Sequence, residues 1–200
     1  MHVTGIVCLE IGILADGCLR LIWREDMNSG LTINESVYKK MLLYCAAVGS
    51  WIEIFLSYWE WHGQLACGVL AAYLLVASIQ DSQTCEVYDF LHVLALPAGM
   101  FFIVATPSGE KVMPLVLYLV IQLGIFMKMY GAGDGLAFLV CAVYESRFGK
   151  GLSTYLLHMA AVFVVLLVVQ GARRNINKTG NLKKPVALVP YIAATVWFFL

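Results

Sequence analysis

Apolar residues come in long blocks broken by short polar punctuation. The blocks fall near 41–59, 63–80, 88–106, 111–129, 133–147, 152–170 and 185–200. A helix needs about 20 residues, with a range of roughly 17–25, to cross the hydrocarbon core of a bilayer. The pattern therefore predicts an all-α protein, a polytopic bundle of about seven to eight transmembrane helices. The eighth candidate, 3–23, carries Glu10, Asp16 and Arg20. It reads as a poor first span or an interfacial helix, and it lacks the basic start and small-residue cleavage site of a secretory signal. A polar stretch at 24–36 separates it from the rest. The expected organisation is 1–38 as that first segment plus a polar loop, and 39–200 as one helical membrane domain. There is no internal repeat, low-complexity tract or second domain.

Composition agrees with the pattern. Of 200 residues, 61% are hydrophobic and 13% charged, against roughly 25% charged in ordinary soluble domains. Mean hydropathy is +0.81. An integral membrane protein follows, with the lipid bilayer as its solvent. Formal net charge is zero, and nothing points to a nucleic-acid partner. The six cysteines, Cys8, Cys18, Cys45, Cys67, Cys85 and Cys141, form no C-x-x-C pair and lie mostly inside apolar runs. They read as small buried hydrophobes, not as a zinc module or a disulfide framework.

The basic residues orient the bundle. The 171–186 loop holds Arg173, Arg174, Lys178, Lys183 and Lys184 with no acid, which marks it as cytoplasmic. Alternation through the spans puts Arg20, Arg24, Lys39, Lys40 and Lys128 on the same side. Only Lys111, Arg147 and Lys150 fall outside, so ten of the thirteen basic residues share one face. The segments around Asp81 and Asp134 are then cytoplasmic too.

Two carboxylates stand out at that face. Asp134 follows two glycines in "GAGDGLAFL", and the charge-free run after it is too short to span. A crossing helix must start near Tyr130 or Gly131, which places Asp134 at the interface or about a turn below it. Asp81 follows the apolar run that ends at Gln80, so it lies at the cytoplasmic end of its own helix. The two are 134 − 81 = 53 positions apart, with one helical hairpin between them. Two carboxylates within hydrogen-bond reach share a proton and titrate as a unit. The ionised one can take a proton from water while the protonated one polarises a peptide carbonyl. This chemistry needs no metal and no cofactor. Gly131 and Gly133 suit a loop where a bulky side chain would block backbone approach or a positive φ. An ionisable residue inside a span costs roughly 2.5–3.5 kcal/mol on insertion scales, which makes it a functional candidate by default. The plainer role for Asp134 is a carboxylate at a helix N-terminus, favoured by the helix dipole.

These segments resemble a family. "GAGDGLAFL" at the start of a span resembles the G-x-G-D signature of type IV prepilin peptidases, membrane aspartic peptidases of pilus, secretion and archaellar systems. "YLLVASIQDSQTCEVYDFLHVLAL" resembles their other active-site segment, and "LKKPVALVPYIAATVWFFL" their closing pattern. The resemblance covers about 63–200. It implies a catalytic pair at Asp81 and Asp134, framed by Gly131 and Gly133. It also implies a substrate with a short basic leader before a hydrophobic helix. Position 136 is Leu where the family usually has Lys, and Val87-Tyr88 stands where a hydrophobic-proline pair is usual. Many bacterial members also methylate the new N-terminus and carry an added region with paired cysteines. This chain has only a short polar stretch before its second span, so the expectation is a short-form peptidase without methyl transfer.

Two other readings use the same acids. Presenilins and signal peptide peptidases pair a Tyr-Asp with G-x-G-D, and "VYDF" offers Tyr88-Asp89 as such a partner for Asp134. Capping of the helix that begins near it is the simpler role for Asp89. A catalytically degenerate relative, or a small carrier whose acids bind a cation, is the non-proteolytic alternative. Glu53, His92 and His158 lie in apolar runs and read as packed, hydrogen-bonded groups. Trp51, Trp59, Trp61 and Trp197 fit an interfacial aromatic belt. The 81–89 segment holds three acids and no base. It is either a solvated loop or a screened attraction for a basic leader.

Overall fold

The computed structural model describes residue 14 and the segments 61–104, 112–176 and 186–200, and every element among these residues is helical. The runs at 3–23 (Leu14 apart) and 41–59, with Glu53, Trp51 and Trp59, lie outside the described residues, as does the polar stretch at 24–36. In chain order the helices are α1 (Trp61–Thr84), α2 (Asp89–Val104), α3 (Val112–Ile121), α4 (Met127–Tyr130), α5 (Ala132–Arg147), α6 (Leu152–Ile176) and α7 (Val189–Thr195). A π-helical turn, Gln122–Phe126, joins α3 to α4, and a 3-10 turn, Val196–Phe198, extends α7.

Among the described residues, three stretches are long and apolar enough to cross a membrane: His62–Thr84, Val112–Tyr130 and Leu152–Arg173. The blocks at 88–106 and 185–200 form shorter apolar helices, Asp89–Val104 and Val189–Phe198. At 1.5 Å per residue the 16 residues of α2 reach about 24 Å, short of a hydrocarbon core about 30 Å thick. The 16 residues of α5 are equally short and carry Asp134, Glu145 and Arg147 near their ends.

The centre of the bundle is α1. Its stretch 65–77 holds no charged or amide side chain, and Ala66, Cys67, Leu70, Ala71, Val76 and Ala77 are all buried. Small side chains there let neighbouring backbones approach closely, the usual way helices pack in lipid. The most extensive contact in the bundle joins α2 to α5, and the next joins α1 to α7. By contrast α3 and α6 turn large apolar side chains outward. Met113 is 74% exposed, Val120 61% and Leu167 71%. In water such a surface would be an association liability, whereas hydrocarbon accepts it.

Gly99 sets the approach of α2 to α5. A Cβ built there would fall 2.6 Å from Val143 Cγ1 and 2.8 Å from Tyr144 Cε2. Tyr144 also donates its hydroxyl to the Ala95 carbonyl at 3.2 Å, one turn before Gly99. Room for a side chain therefore requires the Val143 and Tyr144 side chains, or the helices that carry them, to shift. Gly99→Leu should cost about 1–3 kcal/mol of stability, the usual cost of overpacking a tight site. Thermal denaturation in detergent checks this, with Gly171→Leu as the control, because a Cβ at Gly171 meets nothing within 4 Å.

Candidate active site

The site forms where the end of α1, the start of α5 and the start of α7 meet. α1 runs one turn beyond Gln80, so Asp81 lies in its last turn and is not its final residue. The extra turn has local causes. The Thr84 hydroxyl donates back to the Gln80 carbonyl at 3.0 Å, and the Cys85 amide reaches the Asp81 carbonyl at 2.8 Å. The chain then reverses at Cys85, whose φ of 56° is the left-handed conformation that commonly closes a helix. The short connection to α2 is tied back on both sides. The Glu86 amide donates to Thr84 Oγ1 at 3.2 Å, and the Tyr88 amide to Gln80 Oε1 at 3.1 Å. These bonds set the connection against the G-x-G-D segment: a Cβ on Gly133 would lie 4.0 Å from the Cβ of Val87.

The glycine motif divides its labour. α4 ends at Tyr130, and Gly131 turns the chain with φ 106° and ψ 158°, a conformation that side chains rarely adopt. The helix restarts at Ala132, one or two residues later than the sequence implies. Gly133 therefore lies inside a helix with ordinary φ, and its lack of a side chain keeps space toward Val87. Asp134 is the third residue of α5 and is half-buried. Its carboxylate has no hydrogen-bond partner among the described residues.

Gln122 braces the motif from the π-helical turn. It is fully buried, and its Nε2 donates to the Tyr130 hydroxyl and, at 3.4 Å, to the Gly135 carbonyl. Leu136, the residue in the place of the usual Lys, packs against the apolar cluster of Ile103, Leu115 and Tyr118.

Asp81 is only 3% exposed. Its Oδ2 accepts the Val189 amide at 2.8 Å, with the Leu188 amide beside it. This bond links positions 108 apart. α7 opens at Leu188 with no side-chain cap of its own, and Pro190 follows at the start of the helix. A helix leaves its first amides unpaired, and here a carboxylate from α1 satisfies one of them. Asp81 and Asp134 lie within electrostatic reach of each other. Asp89 is exposed at the first position of α2 and lies within electrostatic reach of His92.

The two histidines differ. His158 is hydrogen-bonded on both ring nitrogens, to Glu145 and Thr195. His92 bonds Tyr73 through Nδ1 at 2.9 Å, but its buried Nε2 has no partner among the described residues. Of the cysteines described, Cys67 and Cys141 are buried and Cys85 is exposed. Trp197 is partly buried against the core. Among the described residues no three His, Cys, Asp or Glu side chains cluster in a way that could hold a metal ion.

Sequence reasoning missed Gln80, Thr84, Gln122 and the Leu188–Val189 amides. For the last of these a signal existed: a proline-marked helix start with no Ser, Thr, Asp or Asn before it needs an acceptor from elsewhere. No family model matches the chain, and neither a curated protein nor a solved structure is significantly similar to it.

Proposed function

We propose that the chain is a membrane aspartic endopeptidase that removes a short basic leader from prepilin-like or pseudopilin-like precursors. One observation carries the reading: Asp81 and Asp134, 53 positions apart in sequence, stand within electrostatic reach of each other at one end of the bundle. Two carboxyl groups so placed disfavour ionising together, so the pair favours carrying one proton. The backbone amides at the start of α7 stabilise negative charge on Asp81. Asp81 is then the base that takes a proton from water, and Asp134 the acid that polarises the scissile carbonyl. As the tetrahedral intermediate collapses, the proton gained by the dyad passes to the leaving amine. The half-buried Asp134 offers the approach for substrate, and Gly133 leaves backbone room beside it.

Asp89 suits the presenilin-like role less well, since it is exposed at the first position of α2. The site belongs on the cytoplasmic face of the plasma membrane, because ten of thirteen basic residues fall on that side. A multi-pass bundle of seven to eight spans, including the shorter helices, completes the proposal.

The functional test uses membranes containing this protein and a precursor with a basic leader followed by a hydrophobic helix. The expected product has lost the leader and carries an unmethylated N-terminus by mass spectrometry. An uncut precursor across a panel of such substrates would favour a degenerate relative or a cation carrier. The topological expectation is separate. Cysteines introduced at 86, 128 and 175 should be labelled by an impermeant reagent only after the membrane is opened. Labelling of these positions from outside intact cells would reverse the orientation.

A further inference from the structure

A second buried polar assembly lies at the other end of α5. Glu145 of α5, His158 of α6 and Thr195 of α7 are 0%, 2% and 5% exposed. Glu145 Oε1 stands 2.5 Å from His158 Nδ1, and His158 Nε2 stands 3.1 Å from Thr195 Oγ1. The ring is enclosed edge-on by Phe138 and face-on by Phe199, with centroids 6.0 and 5.0 Å away.

The proton positions follow from the donors. The Thr195 hydroxyl donates to its own helix, to the Tyr191 carbonyl at 2.9 Å. Its oxygen is therefore the acceptor for His158, and Nε2 carries a hydrogen. Nδ1 and Glu145 Oε1 then need one proton between them, on the ring or on the carboxyl. In either placement the pair is neutral as a whole, the inexpensive state for buried ionisable groups.

The assembly also has a mechanical consequence. Thr195 lies six residues beyond Val189, about 9 Å along α7. One end of this short helix is thus tied to α5 and α6, while the other end grips Asp81. Asp134 belongs to the same α5 that carries Glu145. We propose that Glu145, His158 and Thr195 form a proton-sharing clamp that holds α7, and through its first amides holds Asp81 in position opposite Asp134. The inference rests on the peptidase reading for its effect on cleavage, but not for its effect on structure. All three are positioning residues, remote from the reacting atoms.

The experiment follows three readouts on the full-length protein in detergent. In the unmodified protein, NMR should show a far-downfield proton on His158 Nδ1 that disappears in Glu145→Gln. In His158→Phe, amide exchange at Val189 should accelerate about tenfold or more, as expected for loss of the hydrogen bonds holding the helix. Exchange in the middle of α1 should stay unchanged. With a cleavable precursor, kcat should fall while KM stays within about twofold, because remote positioning alters the reacting geometry more than binding. Should His158→Phe fail to fold, Thr195→Val should give the same local loosening and Thr195→Ser should restore protection. Val189 exchange at the unmodified rate in His158→Phe or in Thr195→Val would overturn the clamp, as would absence of the downfield proton. A protein that cleaves no precursor yet passes the exchange and NMR tests would refute the peptidase reading and leave the clamp standing.

Discussion

Asp81→Leu is expected to lose both cleavage and stability, whereas Asp81→Asn loses cleavage alone. The split follows from the two tasks of one carboxylate. Asp81 is buried and accepts the Val189 amide at the head of α7. The amide oxygen of Asn can still accept that hydrogen bond, but Asn cannot hold or release the shared proton. Leu removes the acceptor as well and leaves a buried amide unpaired, at a cost of about 1–3 kcal/mol. Denaturation midpoints in detergent, read beside cleavage rates, separate the tasks. Equal stability of the Asn and Leu proteins would remove the capping role, and cleavage by Asp81→Asn would remove the catalytic one.

Asp134→Asn should abolish cleavage with almost no loss of stability. Asp134 is half-buried and has no hydrogen-bond partner among the described residues, so the folded state asks little of its charge. As the protonated member of the pair it draws little from the helix dipole, whose interaction with a full charge, about 0.3–1 kcal/mol, bounds what the substitution should cost. Removing the acid of a catalytic dyad should lower the rate by at least about a hundredfold. Asp89→Asn is the companion variant. It should cleave normally, because Asp89 is exposed at the start of α2. Loss of cleavage in Asp89→Asn, with retention in Asp81→Asn, would transfer the first catalytic role to the Tyr88-Asp89 pair.

The helical blocks were legible because uninterrupted apolar runs leave few alternatives, and each block that falls on described residues is a helix. Their ends were less legible. Asp81, Ser82, Gln83 and Thr84 look like the start of a loop, yet Thr84 bonds back to Gln80 and continues α1 by a turn. The sequence suits Gly131 and Gly133 alike to a loop around Asp134. Local φ places the conformational demand on Gly131 alone. The pairing of Asp81 with the start of α7 could not be read from periodicity, since the partners are 108 positions apart and one is a backbone amide. His158 was legible as a hydrogen-bonded residue but not by its partners. Glu145 carries no signal of its own in the sequence, and only the packing of α5 against α6 brings it to the imidazole.

The central claim is that Asp81 and Asp134 form one proteolytic centre. Its most direct measurement uses purified protein reconstituted in lipid vesicles with a precursor bearing a basic leader and a hydrophobic helix. The rate of leader release is read for the unmodified protein and for Asp134→Asn in the same preparation. The account predicts release of the leader by the unmodified protein and none above background by the variant. Equal release by both would contradict it.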